Sequence, residues 1–213
     1  MHRMPIHQIG QAVGLYVGRR ASGISKPDIL AYGAEILIGC AIKLSVLFLV
    51  ASILNTVLEV TILLLTTGII RTLSGGAHCS AYYRCMITSV SILNALGFAI
   101  QHFYPILAQI PSIIFIGINI LSFCLYLNYA PQAPHNKPFE SGEKEKAFRR
   151  YTLISVVMLS SLSVFWGSDS LIGWTIVLAI LWQAFTLTPV GHSFIGIWDA
   201  LLKFNRKGGE LKC

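Results

Sequence analysis

Charged residues are scarce in this chain. Only 12% of its 213 residues are Asp, Glu, Lys or Arg, and nine of these are acidic. A soluble domain averages about 25% charged residues, so the chain lacks the polar surface that a separate soluble domain needs. Its basic excess, a formal net charge of +7, falls in short segments and forms no strip interleaved with aromatic residues. We therefore set aside nucleic acid as a partner and predict one membrane domain over residues 1–213.

Disulfide frameworks and common zinc motifs are also missing. The five cysteines are an odd number, and two of them, Cys40 and Cys124, fall inside apolar runs. This usage argues against a set of paired disulfides. The His-Glu-x-x-His pattern of zinc proteases does not occur in the sequence, which disfavours that class of enzyme.

Long apolar runs are what the chain has in abundance. Hydrophobic residues make up 54% of it, and its mean hydropathy is +0.68. A bilayer core of about 30 Å needs about 20 mostly apolar residues per helix. The sequence thus predicts an all-α integral membrane protein with six transmembrane helices, at about 29–54, 57–70, 86–104, 106–128, 151–167 and 171–190. Apolar residues at helical spacing also predict an amphipathic N-terminal interfacial helix over 4–20 and a second one over 194–204.

The basic residues predict the orientation. With six spans, the segments 1–28, 71–85, 129–150 and 191–213 share one side of the membrane, and they hold 15 of the 16 Lys and Arg residues. Lys43 is the exception. Because basic loops stay on the cytoplasmic side, we predict a multi-pass membrane protein with both termini and the segment 71–85 in the cytoplasm.

Two ionisable residues fall inside the predicted spans. Lys43 is placed near mid-depth of the first span and Glu59 near the outer end of the second. Intramembrane charge is a functional candidate by default. The plain interpretation is that both side chains point inward and pair with each other or with polar groups of the bundle such as Asn94, Asn119 and Gln183.

The polar segment 71–85 carries the chemical signal, because His78 precedes Cys85 by seven residues. A free thiol has a pKa of about 8.5, so an imidazole is needed to make the nucleophilic thiolate at neutral pH. On a straight helix the two residues would be separated by about 10 Å. The chain must therefore bend between them, and Gly75-Gly76 permits such a bend. A helix that begins near Cys85 would direct its first N–H groups toward a thiolate or an oxyanion.

Other interpretations of these residues stay open. His78 is also compatible with an ordinary interfacial histidine, and Cys85 with a small buried hydrophobe. A zinc site of His78, Cys79 and Cys85 would lack an evident fourth ligand. Cys79 is predicted to be structural, because the side chains of adjacent residues normally diverge.

This segment resembles the accessory gene regulator B (AgrB) family of bacterial quorum-sensing peptide processors. The family pattern is an Arg, then Gly-Gly-x-His, then a Cys seven residues after the His, and it is matched here by Arg71, Gly75, Gly76, His78 and Cys85. A second match runs from Tyr129-Ala130-Pro131 to Asn136-Lys137-Pro138. Together with the six-span layout, the resemblance covers nearly the whole chain.

The resemblance implies a cysteine endopeptidase of the bacterial cell membrane that acts on an AgrD-type propeptide. Such a propeptide has an amphipathic N-terminal leader, a central signal sequence that contains a Cys or sometimes a Ser, and an acidic C-terminal tail. His78 and Cys85 would be catalytic, and the supporting or substrate-binding residues would be Arg71, Gly75, Gly76, Lys137 and Pro138. The enzyme would form a thioester on Cys85 and pass the acyl group to the peptide's own Cys, which gives a thiolactone. No metal or cofactor is implied, and a homodimer in membrane lipid is expected.

Two functions from other classes compete with this one. A small transporter or channel component would use Lys43 and Glu59 to line a path, and the His–Cys pair would be incidental. A structural subunit would recruit partners through the segment 129–150, which carries eight charges between Lys137 and Arg150.

The basic residues make the orientation testable. Single cysteines that replace Asn55 or Ser168 in the outer turns should react with an impermeant maleimide in intact cells. A cysteine at Ser141 should react only after the cells are opened, because this position lies in the predicted cytoplasmic segment 129–150. Labelling of Ser141→Cys in sealed cells would reverse the orientation.

Overall fold

The computed structural model describes residues 12, 16, 27–133, 139 and 141–203. In these ranges the chain forms seven helices: α1 Pro27–Ile53, α2 Val57–Ser74, α3 Tyr82–Leu107, α4 Ser112–Tyr129, α5 Gly142–Trp166, α6 Leu171–Phe185 and α7 Pro189–Leu201. The predicted interfacial helix over 4–20, apart from Ala12 and Tyr16, lies outside the described residues. So do Lys137, Pro138 and the tail beyond residue 203.

The helices confirm an all-α integral membrane protein. Five of them, α1 to α5, are long and apolar enough to cross a bilayer, and α6 with α7 forms a sixth candidate that is bent by 85°. Large apolar side chains remain exposed along the outer surface, as expected for a surface that faces lipid; they include Leu49, Leu58, Ile113 and Phe165.

The helix α6 is the centre of the bundle. Its side chains Trp174, Val177 and Ile180 are essentially inaccessible, and it packs against α2, α4 and α5. Small residues allow this close approach: a Cβ on Gly173 would collide with the backbone oxygen of Gly167. Helices α2 to α5 therefore surround a short central helix, and α1 packs against α2 and α3.

The turns between helices meet at two ends of the bundle. At one end, Gln101 donates to the carbonyl of Asn55 at 3.1 Å, and the Ser112 and Ser168 hydroxyls lie 2.9 Å apart. At the other end, the N–H of Gln132 donates to the carbonyl of Ser74 at 2.8 Å. We call this second end, which holds residues 75–81, the loop end.

Several predicted boundaries are wrong by a few residues. Helix α3 continues through Pro105 to Leu107, because a proline in the last turn removes only one hydrogen bond. The polar segments are shorter than predicted, since α2 runs to Ser74, α3 starts at Tyr82 and α5 starts at Gly142.

The end of the sixth span is also wrong. It was predicted at residue 190, but α6 ends at Phe185, and the second interfacial helix begins at Pro189 rather than 194. The cause is local: Thr188 precedes a proline and is extended, with φ −77° and ψ 156°, as such residues prefer. Its side chain then accepts a hydrogen bond from the N–H of Gly191 at 3.1 Å, and this caps α7.

The packing of α6 gives a stability test. Gly173→Ala should destabilise the purified protein by about 1–3 kcal/mol, because the new methyl group meets backbone that cannot move freely. The matched control is Gly117→Ala on α4, where a Cβ meets nothing within 4 Å. Thermal unfolding in one detergent compares them. Equal melting temperatures for the two variants would contradict the close packing of α6.

Candidate active site

Two consecutive glycines begin the loop between α2 and α3. Gly75 has φ 73° and Gly76 has φ 129°, a region that other residues rarely adopt. A Cβ on Gly75 would collide with the carbonyl oxygen of Gln132, and a Cβ on Gly76 would lie 2.9 Å from the Thr186 hydroxyl. The glycines thus provide both the turn and the close approach to neighbouring segments.

The loop is held by hydrogen bonds to the end of α6 and to the chain after α4. The N–H of Ala77 donates to the carbonyl of Thr186 at 3.1 Å. The Gln183 amide donates to the carbonyl of Gly75 at 2.9 Å. Gln132, which also donates to Ser74, follows Tyr129-Ala130-Pro131 directly. The first sequence motif and the described part of the second, Tyr129-Ala130-Pro131, therefore lie next to each other.

His78 lies in this loop with its side chain exposed. A guanidinium nitrogen of Arg71 lies 3.3 Å from Nδ1 of His78 and also donates to the carbonyl of Ala77. Because a guanidinium only donates, Nδ1 is the acceptor and the ring proton resides on Nε2. Desolvation in the loop, together with electrostatic interactions with Arg71, His192 and Lys43, lowers the pKa of His78 to about 4. The imidazole is consequently neutral at pH 7.

Cys85 lies in the first turn of α3, so the chain bends between it and His78 as the spacing required. Its N–H donates to the carbonyl of Ala81 at 3.0 Å, and its half-buried side chain packs against Ala77, Cys79 and Ile92. Ala81 occupies the N-cap and provides no side-chain acceptor for the first turn. The positive end of the helix dipole is thereby directed at the region of the Cys85 thiol.

Cys79 occupies a different environment from Cys85. Its side chain is only 3% exposed, and its thiol lies 3.6 Å from the Thr88 hydroxyl. Burial raises the pKa of the Cys79 thiol, so the sulfur stays protonated at neutral pH. Among the described residues, no group of three His, Cys, Asp or Glu side chains is placed to hold a metal ion.

The helix α7 contributes contacts that the sequence did not reveal. Asp199 accepts hydrogen bonds from the N–H and the hydroxyl of Ser80, both at 2.9 Å, and forms a 3.0 Å ion pair with Arg84. The ring of His192 is hydrogen-bonded to the Gln132 side chain at 2.9 Å. The only sequence signal for Asp199 is that it is the single acidic residue of the amphipathic helix α7.

Lys43 and Glu59 do not pair with each other, because they lie toward opposite ends of the bundle. A Cβ on Gly39 would collide with the Tyr82 ring, so α1 passes the start of α3 one turn before Lys43. The ammonium accordingly lies within electrostatic range of His78, near the loop end rather than at mid-depth. Glu59 is 3% exposed and lies beside Gly97, toward the opposite end.

The candidate residues divide into two groups. The structure brings Arg71 into contact with Ala77 and His78, in the loop that Gly75 and Gly76 begin, and packs Cys85 against the cluster that contains Ala77. Lys137 and Pro138 lie outside the described residues, so the site is defined without them.

The fold and the site define the class of this protein: an all-α, multi-pass membrane protein whose Gly-Gly loop presents a neutral histidine and a helix-terminal cysteine at one end of the bundle. Comparison with known proteins gives the family. The chain belongs to the AgrB family, since the pattern of accessory gene regulator B matches residues 15–187. Its role therefore lies in the agr quorum-sensing system.

Individual relatives agree with this assignment. The chain is 27% identical over 188 residues to a putative AgrB-like protein of Clostridium perfringens strain SM101, with 82% of this chain and 87% of the relative covered. It is 28% identical over 161 residues to accessory gene regulator protein B of Staphylococcus lugdunensis, with 76% and 81% covered. The protein of that name from Staphylococcus aureus strain MRSA252 is 27% identical over 152 residues, with 71% and 76% covered. No solved structure matches the chain.

The two thiols of the site should differ in reactivity. In a background in which Cys40, Cys124 and Cys213 are replaced by Ser, N-ethylmaleimide should modify Cys85 at least about tenfold faster than Cys79 at pH 7.5, because Cys79 is buried and protonated. Mass spectrometry of the digested protein measures both rates. Faster modification of Cys79 would contradict the placement of the two side chains.

Proposed function

We propose that this protein is a membrane cysteine endopeptidase that cleaves an AgrD-type propeptide and cyclises it. The observation that carries the proposal is the Gly75–Ala81 loop, which holds a neutral, accessible His78 beside the helix turn that bears Cys85. Membership of the AgrB family supports the choice of substrate.

The first half of the reaction forms the acyl-enzyme. Neutral His78 takes the proton of the Cys85 thiol, and the thiolate attacks the peptide carbonyl at the C-terminal end of the signal sequence. The N-terminal end of α3 stabilises the oxyanion that develops. The C–N bond then breaks, His78 returns its proton to the departing amine, and the signal sequence stays on Cys85 as a thioester.

The second half forms the ring. The thiol of the peptide's own Cys attacks the thioester, its proton passes to Cys85, and the product leaves as a thiolactone. Exchange between two thioesters is nearly isoenergetic, so formation of the acyl-enzyme is the uphill step. Attack by the tethered thiol competes well with water because it is held close to the thioester.

Arg71 has a specific part in this proposal. At rest its guanidinium occupies Nδ1 of His78, which is the basic nitrogen of that ring. Arg71 must therefore turn away before Nδ1 can accept the thiol proton. A carboxylate of the substrate, or a headgroup phosphate, would give the guanidinium the replacement acceptor it needs.

The distribution of basic residues supports the proposed surroundings of the site. The positive-inside pattern places the loop end in the cytoplasm of the bacterial cell. There Lys144, Lys146, Arg149 and Arg150 belong to the first turns of α5, and we propose that they and Lys137 bind the acidic tail of the propeptide. We propose that the predicted amphipathic segment over residues 4–20 binds the propeptide's amphipathic leader at the lipid surface. We extend the proposal to a homodimer, as the family resemblance implies.

The mechanism predicts the behaviour of three variants. Coexpressed with an AgrD-type propeptide, Cys85→Ala should leave it uncut, since no other group accepts the acyl chain. His78→Ala should lose nearly all activity at neutral pH and recover part of it as the pH approaches the pKa of the thiol. Cys79→Ala is the matched control and should process the peptide as the wild type does. Mass spectrometry of peptide and enzyme gives the readout.

A trapped thioester intermediate and the pH dependence of processing test the same mechanism. A propeptide whose ring-forming Cys is changed to Ala should remain on Cys85 as a thioester that hydroxylamine cleaves. Wild-type processing should persist at pH 6, below the usual histidine pKa of about 6.5, because desolvation and Arg71 lower the pKa of His78 in the resting enzyme. Cleavage by Cys85→Ala, or an adduct on Cys79, would defeat the mechanism.

A further inference from the structure

The helix α7 is placed to act on the loop end from outside the segment that defines the family. It follows α6 at an angle of 85° and begins at Pro189, two residues beyond the matched range 15–187. One face carries exposed apolar side chains, including Val190, Ile197 and Leu201. On the other face Ile195 is buried and packs into the cluster that contains Ala77, Cys79 and Cys85.

Asp199 connects this helix to both parts of the candidate site. One carboxylate oxygen accepts from the N–H of Ser80 at 2.9 Å. The other accepts from the Ser80 hydroxyl at 2.9 Å and from the Arg84 guanidinium at 3.0 Å. Ser80 is the second residue after His78, and Arg84 immediately precedes Cys85. A single carboxylate thus bridges the end of the loop and the first turn of α3.

Burial stabilises the bridge that Asp199 forms between Ser80 and Arg84. The Arg84 side chain is 1% exposed and that of Asp199 is 19% exposed, and the Arg84 guanidinium also lies 5.6 Å from the centre of the Tyr83 ring. Hydrogen bonds to a carboxylate are shorter and stronger than neutral ones, and shielding from water strengthens them further. The loop end at Ser80 consequently has a fixed position relative to Cys85.

We propose that Asp199 is a positioning residue, and that its bridge between Ser80 and Arg84 sets the distance between the His78 imidazole and the Cys85 thiol. The inference rests on the proposed function of that pair. Proton transfer requires the two groups within hydrogen-bond reach, and a displacement of about 1 Å can lower the rate about a hundredfold. Asp199 touches neither the substrate nor the reacting atoms in this role.

A purely structural role is the rival explanation. Loss of Asp199 leaves the buried Arg84 charge without its carboxylate, which by itself destabilises a protein. The paired variant Arg84→Met with Asp199→Leu removes both charges and leaves no lone ion. If the bridge only stabilises the fold, this variant should behave as the wild type. If the bridge positions the loop, the variant still lacks the acceptor for Ser80.

The test compares Asp199→Asn, Asp199→Glu and the paired variant with the wild type in lipid nanodiscs. Asp169→Asn, in the turn before α6, is the matched control for the same chemical change. Hydrogen–deuterium exchange of residues 75–84 reports on the loop without any substrate. The rate of Cys85 alkylation by iodoacetamide against pH reports on the His–Cys pair. kcat and KM are then measured with a propeptide that the wild type processes.

We expect Asp199→Asn and the paired variant to exchange several-fold faster over residues 75–84. Their kcat should fall about ten- to a hundredfold while KM stays within about twofold, and the rate of Cys85 alkylation should differ from that of the wild type. Asp199→Glu should recover part of kcat.

The positioning role would be overturned if the paired variant had the same exchange rates and the same kcat as the wild type. A change in KM alone would also overturn it. Failure of the proposed function gives a different result, because the wild type itself would then process no propeptide. Hydrogen–deuterium exchange and alkylation of Cys85 would still report whether the Asp199 bridge holds the loop.

Discussion

A backbone that leaves the helical conformation at the edge of a bilayer must find partners for its N–H and C=O groups, because lipid offers none. The loop of residues 75–81 meets this constraint with groups from distant parts of the chain. Gln183 and Thr186 at the end of α6 bind one side of it, and Gln132 pairs with the residue before it. These contacts require glycine at positions 75 and 76. The conformation of His78 therefore depends on the end of α6 and on the segment after α4.

The length of α6 determines where that loop can lie. With 15 residues the helix is about 22 Å long, shorter than the hydrocarbon core of about 30 Å. Because Gly75 and Ala77 are hydrogen-bonded to Gln183 and Thr186, the loop lies at the level where this short helix ends. Lys43 of α1 lies within electrostatic range of His78. Desolvation and the positive charges of Arg71 and Lys43 lower the pKa of His78 and keep the imidazole neutral.

The sequence predicts this architecture unevenly, for physical reasons. Run lengths of apolar residues locate the spans because membrane thickness sets them, and the charges of the polar segments group those segments at one end. The end of α6 was missed because apolar residues continue past Phe185, although Thr188-Pro189 marks a break. Lys43 was placed too deep because α1 is longer than a single crossing needs. The Asp199 bridge was not predictable, since no periodicity connects residues 119 positions apart.

The separation between Ser80 and Asp199 in the sequence has a consequence for the biosynthesis of the protein. His78, Cys85 and the helices that carry them emerge from the ribosome early, whereas the carboxylate that binds Ser80 belongs to the last described helix. A nascent chain that has inserted only α1 to α6 already contains the histidine and the thiol but lacks the Ser80 acceptor. Long-range contacts of this kind form late, because a large loop must close before they can do so. The geometry of the loop end is therefore completed only after residue 199 has been synthesised, so maturation of the site follows insertion of the bundle.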